Sequence, residues 1–143
     1  MPVLTDPQGW FTLQVPDGWA KATEDSVTTL RSPGGGIVYL SGARHCRGRQ
    51  ASFGGADFLA RFLRSLGLEV EEEAIDNAAG PGCRIYSHRR STSAADWFFW
   101  SVTDDETALL ISYAQPVGGD PDDMDDVHGI VSSVRLYHSA PVH

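Results

Sequence analysis

Asp96-Trp97-Phe98-Phe99-Trp100-Ser101-Val102 runs into Thr103-Asp104-Asp105-Glu106 and returns as Thr107-Ala108-Leu109-Leu110-Ile111-Ser112-Tyr113-Ala114. Two apolar runs of strand length joined by a short acidic turn spell a β-hairpin. Alternation puts Trp97 and Phe99 on one side and Phe98 and Trp100 on the other, with Leu109, Leu110 and Ile111 divided likewise. A strand with one wet face would alternate apolar with polar. These arms are apolar at odd and even positions alike, so the hairpin is expected at the centre of a sheet covered on both faces. It holds no residue poised for chemistry.

Working upstream, Cys83–Arg90 reads as the strand that pairs with Trp97–Val102 across Ser91–Ala95. Glu69–Ile75, acidic and weakly alternating, reads as an edge strand, because charge on an edge discourages unwanted pairing. Asn77–Gly82 is then a turn, and residues 69–114 form a four-stranded meander. Nearer the start, Phe11, Leu13 and Val15 at period two mark a half-buried strand, closed by the turn composition Pro16-Asp17-Gly18, with Trp19 as an anchor. Ser26–Arg31 and Ile37–Ser41 form a hairpin across Ser32–Gly36.

Two helices complete the pattern. In Ala56–Leu66, Leu59, Phe62, Leu63 and Leu66 fall at i, i+3, i+4 and i+7, and Gly67 is placed to stop the helix. Past Gly119, Asp120 suits an N-cap, Pro121 the first helical position, and Asp122 and Asp123 the positive end of the helix dipole. Met124, Val127, Ile130, Val131 and Val134 then form an apolar stripe. The fold expected is α+β: an antiparallel sheet of about seven strands sandwiched between two helices in the order βββαββββα. Residues 1–143 make one domain, with 138–143 a disordered tail.

A net charge of −8 repels phosphates and anionic membranes, so no nucleic-acid or membrane partner is expected. No apolar run has membrane-spanning length and the start lacks a signal-peptide pattern, so a soluble cytoplasmic protein is expected. The charge is unevenly placed. Residues 42–64 carry Arg44, Arg47, Arg49, Arg61 and Arg64 against Asp57, a net +4, whereas residues 104–126 carry eight acids and no Lys or Arg, a net −8.

Few residues invite chemistry. The glycines of Gly34-Gly35-Gly36 precede a strand and lack a phosphate-loop lysine, so they read as a turn. No two of the five histidines have helical ligand spacing, so no metal site is expected. Asp120–Asp126 lacks the glycine and closing Glu of a Ca²⁺ loop and reads as a helix start. Cys46, flanked by Arg44, His45, Arg47 and Arg49, is a candidate reactive thiol, while Cys83 reads as a core residue. His88 could oppose Asp96 across the hairpin. No cofactor pattern occurs.

The chain resembles the PsbP-like superfamily, which also contains a Ran-binding nuclear import factor and bacterial adaptors of type VI secretion effectors. The resemblance lies in Trp10-Phe11-Thr12-Leu13-Gln14-Val15-Pro16-Asp17-Gly18-Trp19, in Leu30-Arg31-Ser32-Pro33 before a glycine-containing hairpin, and in the closing Ile130-Val131-Ser132-Ser133-Val134-Arg135. It implies an α/β/α sandwich serving as a protein-binding scaffold, with no catalytic set. A non-enzymatic interaction or adaptor module is therefore expected, with a small hydrolase or thiol enzyme using Cys46 or His88 as the alternative. The expected contact surface is Arg44, His45, Arg47, Arg49, Phe58 and Arg61, facing an acidic protein partner. The competing use of Arg44, Arg47 and Arg49 is to neutralise Glu71–Glu73 or the Asp120–Asp126 cap within the molecule, or to guide head-to-tail self-association with them; a homodimer that buries an open sheet face is a separate expectation.

Overall fold

A computed structural model describes residues 3–6, 9–24, 27–44, 56–80, 82–104, 107–116 and 122–137. In chain order these form β1 (Val3–Thr5), β2 (Phe11–Gln14), β3 (Ala20–Glu24), β4 (Val27–Arg31), β5 (Ile37–Arg44) and α1 (Ala56–Ser65). A 3-10 turn at Glu72–Ala74 leads to β6 (Asp76–Gly80), β7 (Cys83–Ser91), β8 (Ala95–Thr103), β9 (Thr107–Pro116), α2 (Asp122–Ser133) and β10 (Arg135–Leu136). Seven strands form one sheet in the order β3-β4-β5-β9-β8-β7-β6, antiparallel throughout. The other three make a small sheet, β1-β2-β10.

The expected α+β sandwich is what forms, and the doubly apolar hairpin explains it. Opposed residues in the β8–β9 register share a face, so Trp100, Val102, Leu109, Ile111 and Tyr113 gather on one side. Leu30, Val38 and Leu40 join them, and Val127, Ile130, Val131 and Val134 of α2 close over this face together with Phe11 and Leu13 of the small sheet. On the other side Phe99 packs beneath Leu59, Ala60 and Leu63 of α1 and beside Ile75. Each large side chain so buried contributes roughly 1.5–3 kcal/mol of transfer free energy.

Two close approaches fix local geometry. Gly67 adopts φ 85°, its N–H donates to Arg64 O and the Leu68 N–H to Leu63 O, so α1 ends in a Schellman motif. At Gly36 the Tyr113 ring lies where a Cβ would sit, 2.7 Å away, so only glycine fits.

Three elements differ from the sequence expectation. Residues 69–75 are not a strand: Ala74 N–H donates to Glu71 O in a 3-10 turn, and Ile75 alone is buried there. Four glutamates within five residues disfavour an extended ladder, and the sheet edge is instead β6, where a turn was expected. β3 was missed because all five of its residues are exposed, leaving no alternation to detect. The Phe11–Gln14 strand belongs to the small sheet, paired with both chain ends, rather than to the main one. Asp120, Pro121 and the tail 138–143 lie outside the described residues.

Candidate functional site

The α1 face is only partly covered. Helix α1 has ten residues and sits over β7 and β8, leaving the β4–β5–β9 end without a helix. There a groove of about 520 Å³ opens between α1 and the sheet. Its floor carries Tyr39, Leu110, Trp97 and Phe99; Phe62 and Leu66 form one wall, and the hydroxyl-bearing Ser41, Thr92 and Ser112 are interspersed. None of the described lining residues is charged. Tyr39 is 38% exposed and Leu66 52%, two of the few large apolar side chains left in solvent among the described residues.

The sequence builds this groove through two periodicities. In β5, Val38 and Leu40 turn to the α2 face, which leaves Ile37, Tyr39 and Ser41 on the α1 face. In α1, Leu59 and Leu63 point at the sheet, while Phe62 and Leu66, four apart, flank that stripe on the groove side. Phe58 continues the same i, i+4 line and is half-buried. Trp97 stacks on Phe99 with ring centroids 6.1 Å apart, so the floor is a rigid aromatic step.

Register sets the charges at its margin. Arg31 lies opposite Ile37, Ile37 opposite Ala114, Ala114 opposite Trp97, and Trp97 opposite Arg90. One row across five strands thus has an apolar middle and an exposed arginine at each end. At the other end of the groove Glu24 lies opposite Val27.

Of the residues expected to form a contact surface, Phe58 and Arg61 lie on α1, the latter exposed, and Arg44 closes β5 opposite Thr107. His45, Arg47, Arg49 and Cys46 lie outside the described residues. The chain nevertheless leaves β5 and re-enters at α1, so the connection that bears them begins and ends on the two elements that wall the groove. The groove itself was not foreseen. Its only sequence signal is Tyr39, an aromatic residue opposite in parity to the apolar pair around it.

Among the described residues, His88 and Asp96 do not pair. His88 is opposite Phe99, with its Nδ1 3.2 Å from Ala74 O, and Asp96 is opposite Ser91 with its carboxylate 3.5 Å from Arg89. Cys83 is half-buried, and burial pushes its thiol pKa up, away from thiolate character. Among the described residues no three His, Cys, Asp or Glu side chains group as metal ligands. The acidic start of α2 has partners of its own: Ser32 Oγ donates to buried Asp123 at 2.5 Å, and Trp19 Nε1 donates to Asp126 at 3.1 Å. A second hollow of about 580 Å³, between α2 and β2, mixes Asp125, Asp126 and Arg135 with Ser132, Leu13 and Pro16.

No helix among the described residues is long and apolar enough to cross a membrane. Neither a family model nor a curated protein matches the chain. Solved structures do. A crystal structure of a protein from Bacteroides thetaiotaomicron VPI-5482 superposes with a TM-score of 0.67 at 12% identity, over 95% of this chain and 48% of that one. The chain therefore spans about half the length of that protein. The solution structure of PsbP (CyanoP) from Synechocystis sp. PCC 6803 gives a TM-score of 0.63 at 12% identity, over 95% of this chain and 92% of that one. Superposition at this level over nearly the whole of both chains shows that the chain has a PsbP-like fold.

Proposed function

We propose that the protein is a non-enzymatic interaction module of the cytoplasm whose α1 side meets an acidic protein partner. The observation that carries this reading is the exposed pair Arg61 and Arg64 on α1, the helix at which the arginine-rich connection ends. Helix α2, with Asp122, Asp123, Asp125 and Asp126, lies on one face, and α1, with exposed Arg61 and Arg64, lies on the other. In sequence, the segment that joins β5 to α1 adds Arg47 and Arg49. A local arginine cluster in a molecule of net charge −8 attracts acidic partners over a short range while the whole repels nucleic acid, and the exposed Glu69, Glu71 and Glu73 on the same side bound that cluster. The PsbP-like neighbours are consistent with a module without catalytic residues.

The test is capture from native cytosol by wild type and by Arg44→Glu/Arg47→Glu/Arg49→Glu, with melting followed in parallel. Loss of specific partners at unchanged melting temperature supports the reading. Retention of the same partners by the triple variant overturns it and returns these arginines to intramolecular or self-association roles.

A further inference from the structure

We propose that the groove beside α1 binds a long-chain carboxylate, with the alkyl tail along the Tyr39–Leu110 floor and the carboxylate at the Trp97 end beside Arg90. The inference does not rest on the protein-partner reading, which concerns the outer surface of α1 and the arginine-rich connection.

Three observations converge on that ligand class. The groove's 520 Å³ falls within the range of small-molecule sites, and its lining is apolar apart from scattered hydroxyls. It is open rather than filled: Tyr39 and Leu66, 38% and 52% exposed, flank it, so an apolar occupant removes surface that the fold itself leaves wet.

The charge at the margin is polarised along the strands. Arg90 is paired with Trp97 and Arg31 with Ile37, whereas Glu24 is paired with Val27 at the far end. An anionic head is therefore favoured at the Trp97 end and opposed at the Val27 end, which sets the direction of the tail. From β4 to β7 is four strand spacings, roughly 19 Å at about 4.8 Å each, so the two arginines cannot share one head group. Arg90, directly beside a lining residue, is the one assigned. Although the molecule is acidic, screening confines exposed charges to about 8 Å at physiological salt, so the nearest guanidinium decides. A cationic head on the same tail would meet Arg90 unfavourably.

The probes are dodecanoate and dodecyltrimethylammonium, kept below micelle formation and titrated into the full chain by calorimetry and by amide chemical shifts. Dodecanoate is expected to bind at least about tenfold more tightly than the cation. Its shifts should centre on Tyr39, Leu66 and Trp97, a readout that needs no variant. Leu66→Glu, at an exposed position just past the helix, should weaken dodecanoate about tenfold by placing a like charge in the wall. Arg90→Glu should abolish the preference for the anion while the melting temperature holds. Equal affinity for the two probes in the wild type overturns the proposal, as do shifts centred on the α2 hollow. So do unchanged binding by Leu66→Glu, absence of dodecanoate binding, and binding to phosphatidylglycerol vesicles without binding to free dodecanoate.

Discussion

On β5, Val38 and Leu40 are sealed under the α2 layer while Tyr39 between them stands 38% exposed. The same contrast runs through β8, where Trp100 is 6% exposed and Trp97, three residues earlier, is half-buried at the groove. Large apolar side chains stand on both faces of the central strands, with Ser41 and Ser112 interspersed on the α1 face. What differs is the cover among the described residues: a helix plus a three-stranded sheet on one side, and the ten-residue α1 with the segment through Ile75 on the other. Stability is concentrated where the cover is complete, and binding capacity where it stops short. A hydrophobic pattern tells which side chains a fold could bury; the length of the neighbouring element decides which of them it does bury.

The sharpest way to break this comparison is to truncate the two tryptophans. Trp100→Ala empties a closed core and is expected to cost about 3–5 kcal/mol in chemical denaturation. Trp97→Ala loses a stacked but half-wet ring and should cost about 1–2 kcal/mol. Equal losses would show that the two faces are equally load-sharing and would remove the basis for the contrast.

A smaller effect tests what holds the complete cover down. Asp123→Ala deletes the acceptor of the buried Ser32 hydroxyl, though Ser32 still accepts from Gly36 N–H at 2.8 Å. The loss expected is about 1–3 kcal/mol, read as a lower denaturation midpoint at unchanged slope. The smallest effect lies at the rim of the closed face, where Cys83 packs against the α2-side core. Its folded pKa is raised above the ordinary 9.0, chiefly by burial. The neutral thiol's contribution is thus complete below that value and is lost as pH climbs through the raised folded one. Alkylation of Cys83 should accordingly be slower in the folded chain than in urea at pH 8.5, and equal rates would place the thiol outside the cover.

Much of this was legible in the sequence, and the failures share a cause. The hairpin at Trp97–Tyr113, the stripe of α2 and the Gly67 stop of α1 are periodic or stereochemical signals, which local sequence carries in full. β3 and β6 bury almost nothing, so no pattern could mark them, and the glutamate run was extended in expectation only because nothing local revealed the 3-10 turn. The groove was illegible for a different reason. It is an absence of cover above ordinary strand residues, and absence of a neighbour is a tertiary fact. Charge asymmetry along the chain, by contrast, is a property of the sequence itself: Arg61 and Arg64 fall on α1 and Asp122, Asp123, Asp125 and Asp126 on α2.

The pairing of β2 with both β1 and β10 carries a consequence for the order of events in synthesis. Thr12 meets Arg135, and the turns that hold Ser32 and Trp19 wait for Asp123 and Asp126. Although β3 pairs locally with β4, β2 cannot complete its contacts until β10 has left the ribosome. Such long-separated closures exact loop entropy before they are repaid, so closing the small sheet is a late and slow step for a domain of this size. Until then the aromatic strand Trp97–Trp100 has no α2 above it, and the nascent chain is at its most aggregation-prone in the interval between finishing β9 and docking the last helix.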